Sequence, residues 1–361
     1  MRKAGGISDR AQHKLLFETG VEGLRKYLGP FSSFRRLFGA IAVGYYVVGF
    51  LIGEYVRAVS GNPESLRYFL WGTPGLVSNI LVVFFVPRIV NAALKMTKNV
   101  SPYTTGIDMQ SLLLGFFRSP SQILFPTVFA LGAALFQIKY LVITPWEEWL
   151  RWYMVSPSVT LVYAIVVTLA TAFSYFLIGL LFYLCAAGGY LVYKTGKSLR
   201  QDLGPSEAES PNMQWPGRFS LVVATAWMAS VGVILLQALV APIVWWSTLQ
   251  LLLFAISSIA IFFLPITSSY ESLRRIKSRA LDDIRAKIWA RYPQAVDSSS
   301  EVEARLALSQ IRALRLFEER IAKGHNWPLT GRMLVEFLVT FVAFNLPHIK
   351  TILETLNGIR I

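Results

Sequence analysis

The stretch Pro157–Tyr193 reads PSVTLVYAIVVTLATAFSYFLIGLLFYLCAAGGYLVY, 37 residues without a charge. A hydrocarbon core of about 30 Å needs roughly 20 helical residues, so such a run reads as a helix in lipid. At the helical rise it would extend about 55 Å. It therefore tilts strongly or projects beyond the membrane as a stalk ending near Lys194.

Five more uncharged runs flank it. They are Leu37–Gly53, Phe69–Pro87 closed by Arg88, Ile123–Gln137 prolonged past Lys139 to Ile143, Phe219 to Val240, and Ser247 to Leu264. The whole chain agrees: of 361 residues 54% are apolar and 16% charged, with mean hydropathy +0.49. Soluble domains are about one-quarter charged. The expectation is an all-α polytopic membrane protein with six transmembrane helices and a cytoplasmic helical hairpin. No cleavable signal pattern precedes residue 37, so none is expected.

Lys and Arg fix the expected orientation. With six spans, 31 of the 35 basic residues fall on one side, expected to be cytoplasmic along with both termini. The net charge of +14 then matches an anionic inner leaflet as partner, and no nucleic acid is needed to explain it.

The chain divides into four parts. Residues 1–36 form a cytoplasmic amphipathic or interfacial segment, with an expected helix over Asp9–Leu28, and 37–268 form the bundle. Within it Asn99–Gln122 is an interfacial elbow or shallow re-entrant turn, and Gly204–Trp215 a polar loop. Residues 269–324 form the cytoplasmic hairpin. Its first helix has Leu273, Ile276, Ala280, Leu281, Ile284 and Ile288 at three- and four-residue steps, and a turn follows at Pro293–Ser300. Its second helix opens with the capping pair Ser300 and Glu303 and stops at Gly324. Residues 325–361 form a membrane-docked or buried helical segment, with a seventh span over Met333–Leu346 as the alternative.

Few residues point to chemistry. Three histidines and one cysteine, Cys185, give no metal-ligand cluster or disulfide, and no nucleotide-binding glycine loop is present. No catalytic residue, metal or cofactor is expected, and the chain is not read as an enzyme. Val43-Gly44-Tyr45 lacks the context of a selectivity filter. Gly49 and Gly53, like Ala40 and Gly44, have the small-residue spacing of close helix packing.

Thr160, Thr168, Thr171, Ser174 and Tyr175 form a hydroxyl stripe, with Asn79 a polar residue at mid-depth. Such a stripe lines a water path or bonds its own backbone and neighbours. Glu147 and Glu148 lie in a Trp-rich outer loop, where repetition around an oligomer axis would concentrate cations. Deep carboxylates and histidines are missing, which disfavours proton-coupled transport. The leading expectation is a homo-oligomeric channel for small ions. The competing one is a non-conducting scaffold or sensor whose hairpin binds a protein partner.

Overall fold

The computed structural model describes residues 64–118, 120–143, 157–200, 202–204, 207, 210–235, 245–297, 300–323 and 329–358, with isolated positions between 40 and 51. The amphipathic segment Asp9–Leu28, the packing glycines Gly49 and Gly53, and the acids Glu147 and Glu148 lie outside the described residues. The described residues are helical, apart from turns and one isolated bridge. Eight α-helices follow in order: α1 Glu64–Val100, α2 Met109–Arg118, α3 Ser121–Ile143, α4 Pro157–Lys197, α5 Trp215–Leu235, α6 Trp245–Val296, α7 Glu301–Lys323 and α8 Gly331–Gly358. Three hold segments long and apolar enough to cross a membrane: Gly75–Tyr103, Thr168–Lys197 and Leu252–Val296.

Buried lines of the same rhythm run along α1 and α4, which share one core; α1 packs mainly on α5, and α4 on α3 and α6. On α1, Val82, Val86, Ile89, Ala93, Met96 and Val100 recur at steps of four and three and are fully buried. On α4, Leu177, Leu181, Leu184, Gly188, Leu191 and Thr195 repeat that spacing, and all are buried. A four-three seam lets neighbouring helices pack along their length. The opposite faces are apolar and exposed, as at Ile123, Leu131 and Leu135 on α3 and Leu253, Ile256 and Leu264 on α6. Small polar groups point inward instead: Ser78, Thr97, Ser230 and Ser258 are buried.

Glycines set the crossings of α4. A Cβ at Gly179 would lie 2.9 Å from the backbone of Pro126 on α3, and one at Gly188 would lie 2.9 Å from the Phe219 ring on α5. At Gly196 it would overlap Ser268 and the backbone of Ser269 on α6. Only hydrogen at Gly179 and Gly196 lets the backbones approach so closely, and at Gly188 it leaves room for the Phe219 ring.

A collar closes one end of the bundle. Thr104 and Leu199 form an antiparallel bridge; the Thr105 N–H donates to the Ser198 carbonyl at 2.8 Å, and the Arg200 N–H to Tyr103 at 2.9 Å. Asn212 Nδ2 donates to the Tyr103 hydroxyl, adding the segment that leads into α5. The carboxy ends of α1 and α4 and the amino end of α5 therefore meet. Lys95, Lys98, Lys194, Lys197, Arg200 and Arg218 come to this same end.

Several boundaries differ from the sequence reading. Arg88 does not close the second span, because α1 continues to Val100 and the Arg88 guanidinium lies 3.9 Å over the Phe84 ring. A long side chain can cover its own apolar helix while its charged head reaches a more polar level. Met109 and Leu113 of α2 are buried in the main core, so Asn99–Gln122 docks on the bundle. The loop Gly204–Trp215 contains a 3-10 turn, Pro211–Gln214, with Met213 buried. Pro293 lies inside α6 rather than in the following turn.

Candidate functional site

Two places gather side chains with more than packing to do. The first joins α1 to α4. Asn79, 4% exposed, donates from Nδ2 to Ser174 Oγ at 2.8 Å. One of the five stripe residues, Ser174, is thereby brought together with Asn79. The Asn79 carbonyl oxygen and the neighbouring Ser78 hydroxyl are buried without a partner among the described residues. Thr168 and Thr171 are half-buried, Tyr175 is turned to the exposed surface, and Thr160 lies near the start of α4.

Other buried hydroxyls bond their own helices. Thr97 donates to Ala93, Thr195 to Leu191 and Ser258 to Phe254, each four residues back. Trp227 Nε1 donates to Ser257 Oγ at 3.0 Å, tying α5 to α6. Val82, Val86 and Ile89 of α1 and Leu177, Leu181 and Leu184 of α4, which follow Asn79 and Ser174 along their helices, are buried in one apolar core. Chemically the pair is a clamp between two helices.

The second place lies beyond the collar. Contacts of α6 track steadily toward it: Ser257 meets Trp227, Pro265 meets Gly189, and Ser268 meets Gly196. The remainder of α6 therefore continues past the collar, and α7 runs back along it. Ile284 and Ile288 of α6 pack with Ile311 and Ile321 of α7 in a separate small core. Arg285 Nε donates to Glu318 Oε1 at 2.7 Å, an ion pair between the two helices. Lys277 Nζ donates to the Ala322 carbonyl at 2.9 Å, satisfying one of α7's last carbonyls. A groove of about 400 Å³, lined by Arg285, Ile288, Trp289, Arg315, Glu318 and Glu319, opens along one side.

The sequence reading found the α6 stripe, of which Leu273, Ile276, Ile284 and Ile288 are buried. It missed a second apolar line on α7. Val302, Leu306 and Leu316 are 77%, 58% and 68% exposed, on the side away from α6. Their steps of four and ten residues are legible in sequence as one helix face, but that face is interleaved with buried Ala307, Ile311 and Ile321 and half-buried Leu314.

This geometry defines a class: an all-helical protein, among its described residues, with three helices able to cross a membrane and a helix pair extending from one end. Comparisons with protein-family models, curated proteins and solved structures each returned no match.

Proposed function

We propose that the protein is a non-conducting membrane scaffold whose α6–α7 pair docks a protein partner. The observation that carries this reading is the exposed apolar line Val302, Leu306 and Leu316 on a helix whose other face already has a partner. Exposed apolar surface of this extent outside lipid marks an interaction site. The channel reading draws less support: Ser174 is engaged by Asn79, and fully buried Leu177 and Leu181 occupy the interior below.

The collar end, with its six basic residues, is the cytoplasmic face on this reading. The α6–α7 pair then lies in the cytoplasm. The direction of α8 supports a seventh crossing over docking at the interface. Phe337 stacks on Phe262 at 4.2 Å, and Phe344 reaches Gly232, so α8 climbs away from the collar. Its 28 residues extend about 42 Å. Val335, Val339, Val342 and Leu346 form its exposed face, as lipid contact requires. On this reading α8 ends on the side opposite the collar, whereas six spans would leave it on the cytoplasmic side.

Two measurements test the scaffold. In planar bilayers under asymmetric salt, the purified protein gives no unitary current steps; steps abolished by Ser174→Trp would restore the channel. Replacing Val302, Leu306 and Leu316 together by Glu should reduce the native complex size in mild detergent while leaving the bundle's thermal midpoint unchanged. An unchanged size would remove the docking role.

A further inference from the structure

The face of α4 that α3 covers is left open nearer the collar. Gly179, Phe182, Ala186, Tyr190, Tyr193 and Lys197 follow at steps of three, four, four, three and four, so they lie along one side of the helix. Gly179 abuts Pro126 and Phe129 of α3, and the Phe182 ring stacks on Phe125 at 5.7 Å. These contacts run in opposite directions along the two helices. Because α3 begins at Ser121, one turn before Phe125, its cover ends near Ala186. Beyond that point Ala186, Tyr190, Tyr193 and Lys197 are exposed.

Two cations are folded onto this open face. The Lys194 ammonium lies 5.5 Å from the Tyr190 ring centre, and the Lys197 ammonium 4.7 Å from that of Tyr193. Helical side chains lean toward their own amino terminus, which for α4 is the direction of its apolar body. Both charges are therefore drawn back from the collar to the level of the tyrosines, a residue type that sits among lipid headgroups. Among the described residues neither lysine has a carboxylate partner. Of the collar acids, Asp202 is held by Arg200, and Asp108 accepts from Ser111.

The lysines are also spared the work of capping α4. The Ser198 N–H reaches the carbonyls of Lys194 and Thr195, the Leu199 N–H that of Gly196, and the Thr105 N–H that of Ser198. Lys277 shows the alternative, since its ammonium does satisfy a terminal carbonyl of α7. What remains is a pair of cations at one end of a strip that leads over two tyrosines to Ala186 and Phe182. The strip belongs to Thr168–Lys197, a segment long and apolar enough to cross a membrane. Positive charge selects an anionic headgroup, and the apolar continuation selects a molecule that carries acyl chains.

We propose that this face of α4 binds one anionic phospholipid, its phosphate held by Lys194 and Lys197 and its chains lying along Ala186 and Phe182 beside the start of α3. The proposal needs α4 to lie in a membrane and does not depend on the docking role of α7.

The test uses the full-length protein, stripped of lipid in a neutral detergent. Phosphatidylglycerol is titrated into the micelles while the thermal midpoint is followed. A saturable rise is expected, and none with phosphatidylcholine of the same chains. Lys194→Gln with Lys197→Gln should leave the lipid-free midpoint in place and raise the half-saturating lipid fraction about 25-fold, about fivefold per lysine. Lys194→Arg with Lys197→Arg should keep the response. Lys287→Gln with Arg291→Gln removes equal charge from exposed positions of α6 beyond the collar and should titrate as the native protein does. Equal weakening in that control would mean general attraction and overturn the site, as would an unchanged titration of the Lys194 and Lys197 glutamine variant.

Ala186→Trp keeps both charges and fills the strip, so it too should weaken the response; a native titration would overturn the placement of the chains. A comparable rise with inorganic phosphate would overturn the choice of a lipid. Disulfide-linked dimers of Tyr190→Cys in lipid-free micelles would give the strip to a second copy and likewise overturn the proposal.

Discussion

In the bundle, apolar residues occupy both the inner and the outer faces of the helices, and small polar groups are turned inward. In the α6–α7 pair, charges cover most of the outside, and the core is reduced to a few isoleucines. Both regions use four-three spacing to join helices. On the proposed topology they also differ in what surrounds them: lipid tolerates apolar side chains and penalises unpaired polar groups, whereas water does the reverse. The apolar line on α7 stands out, on that topology, against a water-exposed background, while the same residues on α3 or α8 would meet lipid. The bundle also uses glycine to bring backbones together at Gly179 and Gly196, a device absent from the α6–α7 contact, where residues 269–323 contain no glycine.

The sharpest way to break this contrast is Gly196→Leu. A side chain there meets the backbone of α6 at Ser268 and Ser269, so neighbouring helices must separate. Overpacking of this kind costs about 3 kcal/mol or more. The expected outcome is loss of monodisperse protein in detergent chromatography.

Paired truncations sharpen it next. Leu181→Ala removes a fully buried side chain from the main core, and Ile311→Ala does so in the small one. Each should cost about 2–5 kcal/mol locally. The first should lower the thermal midpoint of the bundle. The second should leave that midpoint in place and speed proteolysis near residues 297–300, showing that the regions unfold separately. Equal shifts in one common transition would instead join them into a single cooperative unit.

Asn79→Ala tests the clamp. Interhelical hydrogen bonds in membranes contribute about 0.6 kcal/mol on average, with a maximum near 1.7. A small loss of thermal stability is expected, with Ser174 left unpaired. A stability loss as large as that of Leu181→Ala would mean that the polar contact organises the crossing.

The smallest effect is at the collar. Arg200 donates two hydrogen bonds to Asp202, at 3.1 Å each, and holds its carboxyl below the ordinary aspartate range. A depressed carboxyl contributes stability that is present above its unfolded pKa and is lost as pH falls through the lower, folded value. The acid limb of the stability curve should therefore be slightly steeper in the native protein than in Asp202→Asn. Superimposable curves would show that water screens this exposed pair completely.

Much of the helix pattern was legible because hydropathy is a local property. The uncharged run Pro157–Tyr193 lies within one helix, α4, and the hydropathy of Ser247–Leu264 locates the start of α6. The placement of Ser300 before α7 was likewise local, since a cap involves only its own first turn. Helix ends were less legible. Arg88 reads as a stop in sequence, yet α1 continues because its buried line runs on through Ala93 and Met96 to Val100.

The sequence by itself determined that this is a helical chain rich in membrane-length apolar runs, with a charged helix pair after the last long one. Those properties follow from composition and spacing within single segments. Tertiary structure alone decided which face of each run is inside. A uniformly apolar helix carries no sign of its buried side, so the pairing of Asn79 with Ser174, the climb of α8 beside α5 and α6, and the glycine crossings of α4 could not be read in advance. It also decided which of two interleaved lines on α7 faces α6. Both lines satisfy the helical period, and only the contact with Ile284 and Ile288 breaks their equivalence.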